Sequence, residues 1–196
     1  MKEVILCGAA GHAKVVLSLL QLLGYAVPYI LDDESNGCGR SLDGVPIRGP
    51  LSLLPDRDDV SAFLAIGDNQ QREYAAARFT NVNWVTLVHP AAWGDPSARL
   101  GAGTYIAAGV VVNADAVLGD HLIVSTGASV GHHCILGDFV QLEPGVRLGD
   151  GVNLARGARC AIGSTLLPKC SMGAWATLGP RAVAIAMVKF SPALAC

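Results

Sequence analysis

The chain has 196 residues, carries 14 Lys and Arg against 16 Asp and Glu, and is 52% hydrophobic but only 15% charged. That length allows one large domain or two small ones, and the hydrophobic content excludes disorder. A net charge of −2, spread without long blocks of either sign, offers no electrostatic footprint for nucleic acid or an anionic lipid surface.

In chain order, residues 4–7 read as a strand, with no long apolar run before a cleavage site, so the start of the chain is not expected to be a secretory signal. The turn Gly8-Ala9-Ala10-Gly11 follows, then a helix to about Leu23. Residues 15–31 lack charge but are broken by Gly24 and Pro28 and fall short of the roughly 20 residues that span a bilayer. They read as helix, turn and a second strand over residues 26–31, ending at Asp32-Asp33. A third strand, residues 62–66, ends at Gly67-Asp68-Asn69. This alternation predicts a small, parallel, Rossmann-like α/β domain over residues 1–90, with ligand groups gathered at the carboxyl ends of its strands. The glycine turn lacks a full G-x-G-x-x-G, so by itself it is equally compatible with a plain tight turn.

From Leu100 the pattern changes. An apolar side chain returns every sixth residue through Ile106, Val112 and Leu118 to Leu178, fourteen times without a miss. At 52% hydrophobic content that run has a chance of about 1 in 10,000. A second apolar or small residue lies two positions before each, and glycine often follows, as at Gly101, Gly119, Gly131 and Gly137. Two inward side chains two apart make a short strand, and the following glycine is expected to let the backbone turn a corner. Three such strands close a coil of about 18 residues, and stacked coils pair as parallel strands about 4.8 Å apart.

That arithmetic places individual side chains. His132 and His133 fall between the inward positions Val130 and Cys134, which puts both outward on a corner. One coil away, Asp115 stacks beneath His133 and Asp150 above His132, each about 4.8 Å off, and one of them is expected to supply a carboxylate to the imidazoles. A histidine with an unperturbed pKa near 6.5 suits general-base work. Gly127-Ala128-Ser129-Val130-Gly131 spells G-x-S-x-G but sits inside the six-residue register, where the strand, sharp turn and helix of a nucleophile elbow have no room. His121, His132 and His133 offer no spacing that completes a zinc site, so no metal is expected. The six cysteines form no Cys-x-x-Cys pair and read as reduced, mostly buried thiols in a cytoplasmic protein.

Taken together, Gly8 to Val16 (G-A-A-G-H-A-K-V-V), L-D-D at 31–33, A-I-G-D-N at 65–69, and V-G-H-H-C-I-L-G-D-F-V from Val130 to Val140 followed by Pro144-Gly145 resemble the bacterial sugar O-acyltransferase family. That family contains the N-acetyltransferases of nucleotide-linked amino sugars and the sialic acid O-acetyltransferases, and the resemblance runs over about residues 1–180. It implies that residues 91–182 form a left-handed parallel β-helix of hexapeptide-repeat type, with residues 183–196 as a C-terminal tail. It also implies a homotrimer with active sites between subunits, acetyl-CoA lying along the coil surface, and a nucleotide-linked amino sugar held by the N-terminal domain. By the same resemblance His132 is the general base, and His12 approaches the acceptor sugar. Gly8, Gly11, Asp32, Asp33 and Asn69 lie near the nucleotide, and Ser125, Gln141, Gly149, Ile162 and Gly179 line the coenzyme.

Three features depart from the family pattern. His133 stands where an acidic residue usually follows the base, Gln141 where relatives often carry a histidine, and the tail lacks their G-V-P-A-like loop. The uncharged residues 182–187 are expected to pack on the coils as a cap. The activity implied is acetyl transfer to a sugar amine. A sugar O-acetyltransferase of sialic acid type and a catalytically impaired trimeric binding protein remain the alternatives.

Overall fold

The computed structural model describes residues 2–34 and 40–189 and divides the chain into two compact units, Met1–Leu87 and Val88–Cys196.

In the first unit the apolar run Ile5–Cys7 (β1) is fully interior and pairs in parallel with Ile30–Leu31 (β2) on one side and Ser61–Leu64 (β5) on the other. Around them lie Ser41–Leu42 (β3), Val45–Gly49 (β4) and Asn83–Trp84 (β6), giving the order β3-β4-β2-β1-β5-β6. Every pairing is parallel except β3 with β4, a hairpin that makes the sheet mixed at one edge. Helix α1, Gly11–Leu22, buries Ala13, Val16, Leu17 and Leu20, the i, i+3, i+4, i+7 stripe of an amphipathic helix. Helix α2, Asn69–Ala77, begins at Asp68, whose carboxylate accepts from the N–H of Gln71 at 2.9 Å and so caps the first turn.

In the second unit, two-residue strands recur every six residues from Trp93–Gly94 to Val183–Ala184 and stack into three parallel sheets. The first runs through Tyr105–Ile106, Ile123–Val124, Gln141–Leu142, Arg159–Cys160 and Thr177–Leu178, each residue pairing with the one 18 positions on. The second contains Ser129–Val130 and Arg147–Leu148, and the third Ile135–Leu136 and Asn153–Leu154. Every sixth side chain from Ile106 to Leu178 is buried, as is the one two residues before it. Leu100 stays 39% exposed because its strand ends its sheet, with no coil beneath.

Two expectations need correction. The glycines after the inward residues do not turn the corners. The corners lie two residues later, at every sixth residue from Gly103 to Arg181, where φ is between 56° and 71° whether the residue is Gly109, His133 or Trp175. Gly131 and Gly149 are small for clearance: a Cβ on Gly131 would lie 2.7 Å from Asp150 Oδ1, and one on Gly149 would lie 2.7 Å from Pro168 N. The tail also behaves differently. Val183–Ala184 pairs with Thr165–Leu166 and Val188 bridges Met172, so these residues continue the coil by backbone hydrogen bonds. Ala184 is buried at the next sixth position, while Ile185 and Met187 are exposed. Residues 190–196 lie outside the described residues.

Cys7, Cys134, Cys160 and Cys170 are buried free thiols, and burial pushes Cys7 and Cys160 up to about 12. Cys38 and Cys196 lie outside the described residues. No helix among the described residues is long and apolar enough to cross a membrane.

Candidate active site

A cleft of about 540 Å³ opens at the carboxyl ends of β1, β2 and β5, lined among others by Gly8, Gly11, His12, Asp32, Asp33 and Tyr74. Gly8 has φ of 109°, and a Cβ there would come within 2.8 Å of the Ala65 carbonyl, so only glycine lets the turn after β1 pass the end of β5. A Cβ on Gly11 would meet nothing within 4 Å, which leaves the start of α1 open to a ligand. Ala10 supplies no side-chain cap there, and a helix N-terminus without one suits an anion.

The two carboxylates do more than end a strand. Asp32 accepts from the N–H of Ala9 at 2.5 Å and of Glu34 at 2.9 Å. Asp33 accepts from the N–H of Leu51 at 2.7 Å and pairs with Arg78 at 3.2 Å. They fasten three loops around the cleft. Asn69 is buried, and its Oδ1 accepts from Arg72 at 2.8 Å, so it supports the floor and is not among the residues lining the cleft.

Arg72, which no sequence pattern singles out, is 1% exposed and also donates to the carbonyls of Ile66 and Gly67, holding the turn after β5. Desolvation lowers its guanidinium to about 10, with Asp68 acting in the opposite sense. His12 is driven down to about 4, first by desolvation and then by the Arg72 charge, so its imidazole is neutral near pH 7.

In the second unit His132 and His133 occupy the corner between the second and third sheets, with side chains 54% and 66% exposed. His132 Nε2 lies 3.1 Å from Asp150 Oδ2 on the coil above, and His133 Nε2 lies 3.5 Å from Asp115 Oδ2 on the coil below. Their Nδ1 atoms are 2.8 Å apart, with the rings at 84° to each other. Carboxylate, imidazole, imidazole and carboxylate thus form one continuous line along the edge. His121 is elsewhere: it is 5% exposed, on the edge between the third and first sheets, stacked on Phe139 with centroids 5.3 Å apart. No group of side chains among the described residues is arranged to hold a metal ion.

The residues expected along the coenzyme divide between two edges. Gly149 shares the histidine edge, where its carbonyl accepts from Cys134 Sγ at 3.2 Å. Ser125, Ile162 and Gly179 lie on the edge between the first and second sheets, and half-buried Gln141 projects from the first sheet. The sequence reading missed Glu143 on that edge. Its carboxylate takes the guanidinium of Arg159 and the N–H of Ile162, the latter at 2.9 Å. Adding 18 to Ser125 leads to it directly.

A small α/β unit followed by a hexapeptide coil with an outward imidazole–carboxylate edge defines a hexapeptide-repeat acyltransferase. Residues 3–79 match the family model of the PglD N-terminal domain. Among solved structures the chain is similar to a perosamine N-acetyltransferase variant from Caulobacter crescentus in complex with CoA and GDP-perosamine, with 34% identity over 96% of this chain and 91% of that one and a TM-score of 0.87. It is also similar to the acetyltransferase domain of PglB from Neisseria gonorrhoeae in complex with acetyl coenzyme A, with 30% identity over 96% and 93% of the two chains and a TM-score of 0.84. The curated UDP-N-acetylbacillosamine N-acetyltransferase of Bacillus subtilis is 32% identical over 113 residues, 55% of this chain and 52% of that protein. The chain spans only 22% of another curated relative, an uncharacterized protein of Acanthamoeba polyphaga mimivirus, at 33% identity. The chain belongs to the nucleotide-amino-sugar acetyltransferases of the hexapeptide-repeat family, and its coil is a left-handed parallel β-helix.

Proposed function

We propose that this protein transfers the acetyl group of acetyl-CoA to the amino group of a nucleotide-linked amino sugar, with His132 as general base. The observation that carries the reading is the pairing of an exposed imidazole with a carboxylate, His132 Nε2 to Asp150 at 3.1 Å, on a coil whose relatives hold CoA or acetyl-CoA. The amine attacks the thioester carbonyl, His132 takes its proton, and the sulfur leaves as thiolate. The nucleotide diphosphate sits over the start of α1, between the Gly8 turn and the Asp32-Asp33 pair, and His12, which lines the same cleft, lies near the acceptor sugar. The coenzyme runs past Gly149 on one edge and Ser125, Gln141, Ile162 and Gly179 toward the next.

A homotrimer joins these two edges from neighbouring copies. Outward-facing Val117 and Ile135, 41% and 53% exposed and paired in register on the third sheet, supply an apolar strip for a second copy to cover. The buried free thiols fit a reducing, cytoplasmic setting. The test mixes purified protein and acetyl-CoA with UDP-, GDP- and dTDP-linked amino sugars and measures thiol release. Release with at least one amino sugar, and none with its hydroxyl analogue, is expected. No release with any of them overturns the reading, and release with the hydroxyl sugar alone makes the protein an O-acetyltransferase.

A further inference from the structure

We propose that His132 and His133 form a two-ring proton relay, in which His133 accepts onward the proton displaced when His132 deprotonates the substrate amine; this rests on the reading of His132 as base. The Nδ1–Nδ1 contact of 2.8 Å holds one proton, because with none two lone pairs face each other and with two the N–H groups collide. In the tautomer that can act as base, His133 Nε2–H points to Asp115 and its Nδ1 lone pair accepts from His132 Nδ1–H. His132 then keeps one lone pair, at Nε2, opposite the Asp150 carboxylate at 3.1 Å. A lone pair against a carboxylate is unfavourable, and an amine set against both relieves it by donating one N–H to each.

As the amine nitrogen bonds to the acetyl carbon and the carbon–sulfur bond breaks, the amine proton passes to His132 Nε2. The Nδ1 proton of His132 crosses to His133 Nδ1. His132 ends neutral, donating from Nε2 to Asp150, while His133 ends as an imidazolium against Asp115. The positive charge thus comes to rest one ring away from the reacting atoms. His133 is 66% exposed and gives its Nε2 proton to water, balancing the thiolate released, and the two rings return to their starting tautomers by exchange with solvent. A single fixed carboxylate in place of His133 would orient His132 without taking the proton onward.

Other polar groups on this edge are Asn113, whose amide donates to the Val130 carbonyl at 3.0 Å, Ser97, which accepts from the Asp115 N–H at 2.9 Å, and Asp95, which accepts from Ser97 at 2.6 Å. Lys169 lies a coil above Gly151, and its N–H donates to the Asp150 carbonyl at 2.8 Å. His133 and Asp115 act through His132 and are positioning residues.

The discriminating variant is His133→Asn. Asparagine tolerates the left-handed φ of 56° at this corner, and its amide oxygen can accept from His132 Nδ1 but cannot carry a proton. Single-turnover rates are measured in mixtures of light and heavy water, together with the KM for each substrate. The expected result is a rate about tenfold lower or more with each KM within about twofold, and a proton inventory that changes from curved to straight. His133→Glu serves as the second variant if the first folds poorly, and it should also give a straight inventory. A straight inventory in the parent, or a His133→Asn rate within about twofold of it, overturns the relay. Retained activity in His132→Ala would instead overturn the base assignment, so the two failures are distinguishable.

Discussion

The two units hold their functional groups by opposite strategies. In the coil, the equivalent position on the next turn is 18 residues away, so His133 meets Asp115 and His132 meets Asp150 by simple translation. In the α/β unit the cleft is tied by contacts with no period: Asp32 to Ala9, Asp33 to Leu51, and Asp33 to Arg78 span 23, 18 and 45 residues. A periodic scaffold allows one corner to change residue while its neighbours keep their places. An aperiodic one makes each fastening residue depend on several loops at once, so the same kind of substitution should disturb function locally in the coil and folding broadly in the cleft.

The largest effect expected is on the coil, and it should be purely functional. His132→Ala removes an exposed side chain, so thermal unfolding should stay near that of the parent while acetyl transfer falls about 10²–10⁴-fold. Thiol release against temperature-matched controls checks both parts. A comparable loss of stability would place the imidazole in the packing of the coil and break the contrast.

Next comes the cleft. Arg72→Met should cost about 3–4 kcal/mol, because it leaves the carbonyls of Ile66 and Gly67 and the amide of Asn69 without their buried donor. Chemical denaturation measures this, and binding of the nucleotide sugar should weaken with it as the turn after β5 loosens. Stability within about 1 kcal/mol of the parent would mean that water replaces the guanidinium.

Within the coil, Gly157→Ala should cost about 3 kcal/mol, combining a left-handed φ of 69° with a Cβ only 2.2 Å from the Trp175 ring. The affected turn lies on the edge between the third and first sheets, away from the histidines, so the rate constant of the folded fraction should not change.

How much of this was readable beforehand follows the same division. The coil register, its inward columns and the partners of both histidines come from counting by six and eighteen. What the count could not reveal was which corner residue adopts positive φ, since Gly131 and His133 both belong to the turn and only the backbone distinguishes clearance from conformation. In the α/β unit, β1, α1 and the Gly8 turn carry local signals. The β3–β4 hairpin also had one, the Asp43-Gly44 pair with φ of 45° and 85°, typical of a tight hairpin turn. Arg72 had none: an arginine on a polar helix is normally solvated, and only the fold shows that this one is enclosed.

Between pH 6.5 and 4 the pH dependence of stability should report on the cleft. His12 binds its proton less readily when folded, about 4 against 6.5, so the unfolded chain takes up the extra proton between those values. His12 therefore contributes no penalty above pH 6.5 and destabilises progressively as pH falls toward 4, by roughly 2–3 kcal/mol in total. His12→Leu should flatten the denaturation midpoint across that window. An unchanged slope would assign the acid sensitivity to other groups.

The smallest effect sharpens the comparison most. Gly127 has φ of 68°, almost the same as Gly157, but a Cβ there would meet nothing within 4 Å. Gly127→Ala therefore isolates the backbone term, about 1 kcal/mol, or a fall in melting temperature of about 2–4 °C for a chain of this size. Gly127→Asn should cost less, since asparagine accepts the left-handed region more readily. Asp115, His133 and Lys169 already sit at equivalent corners with φ of 57°, 56° and 63°. If Gly127→Ala proves as damaging as Gly157→Ala, the corners do not tolerate side chains independently, and the freedom that allows a histidine at 133 must come from its contacts with Asp115 and His132 instead of from the repeat.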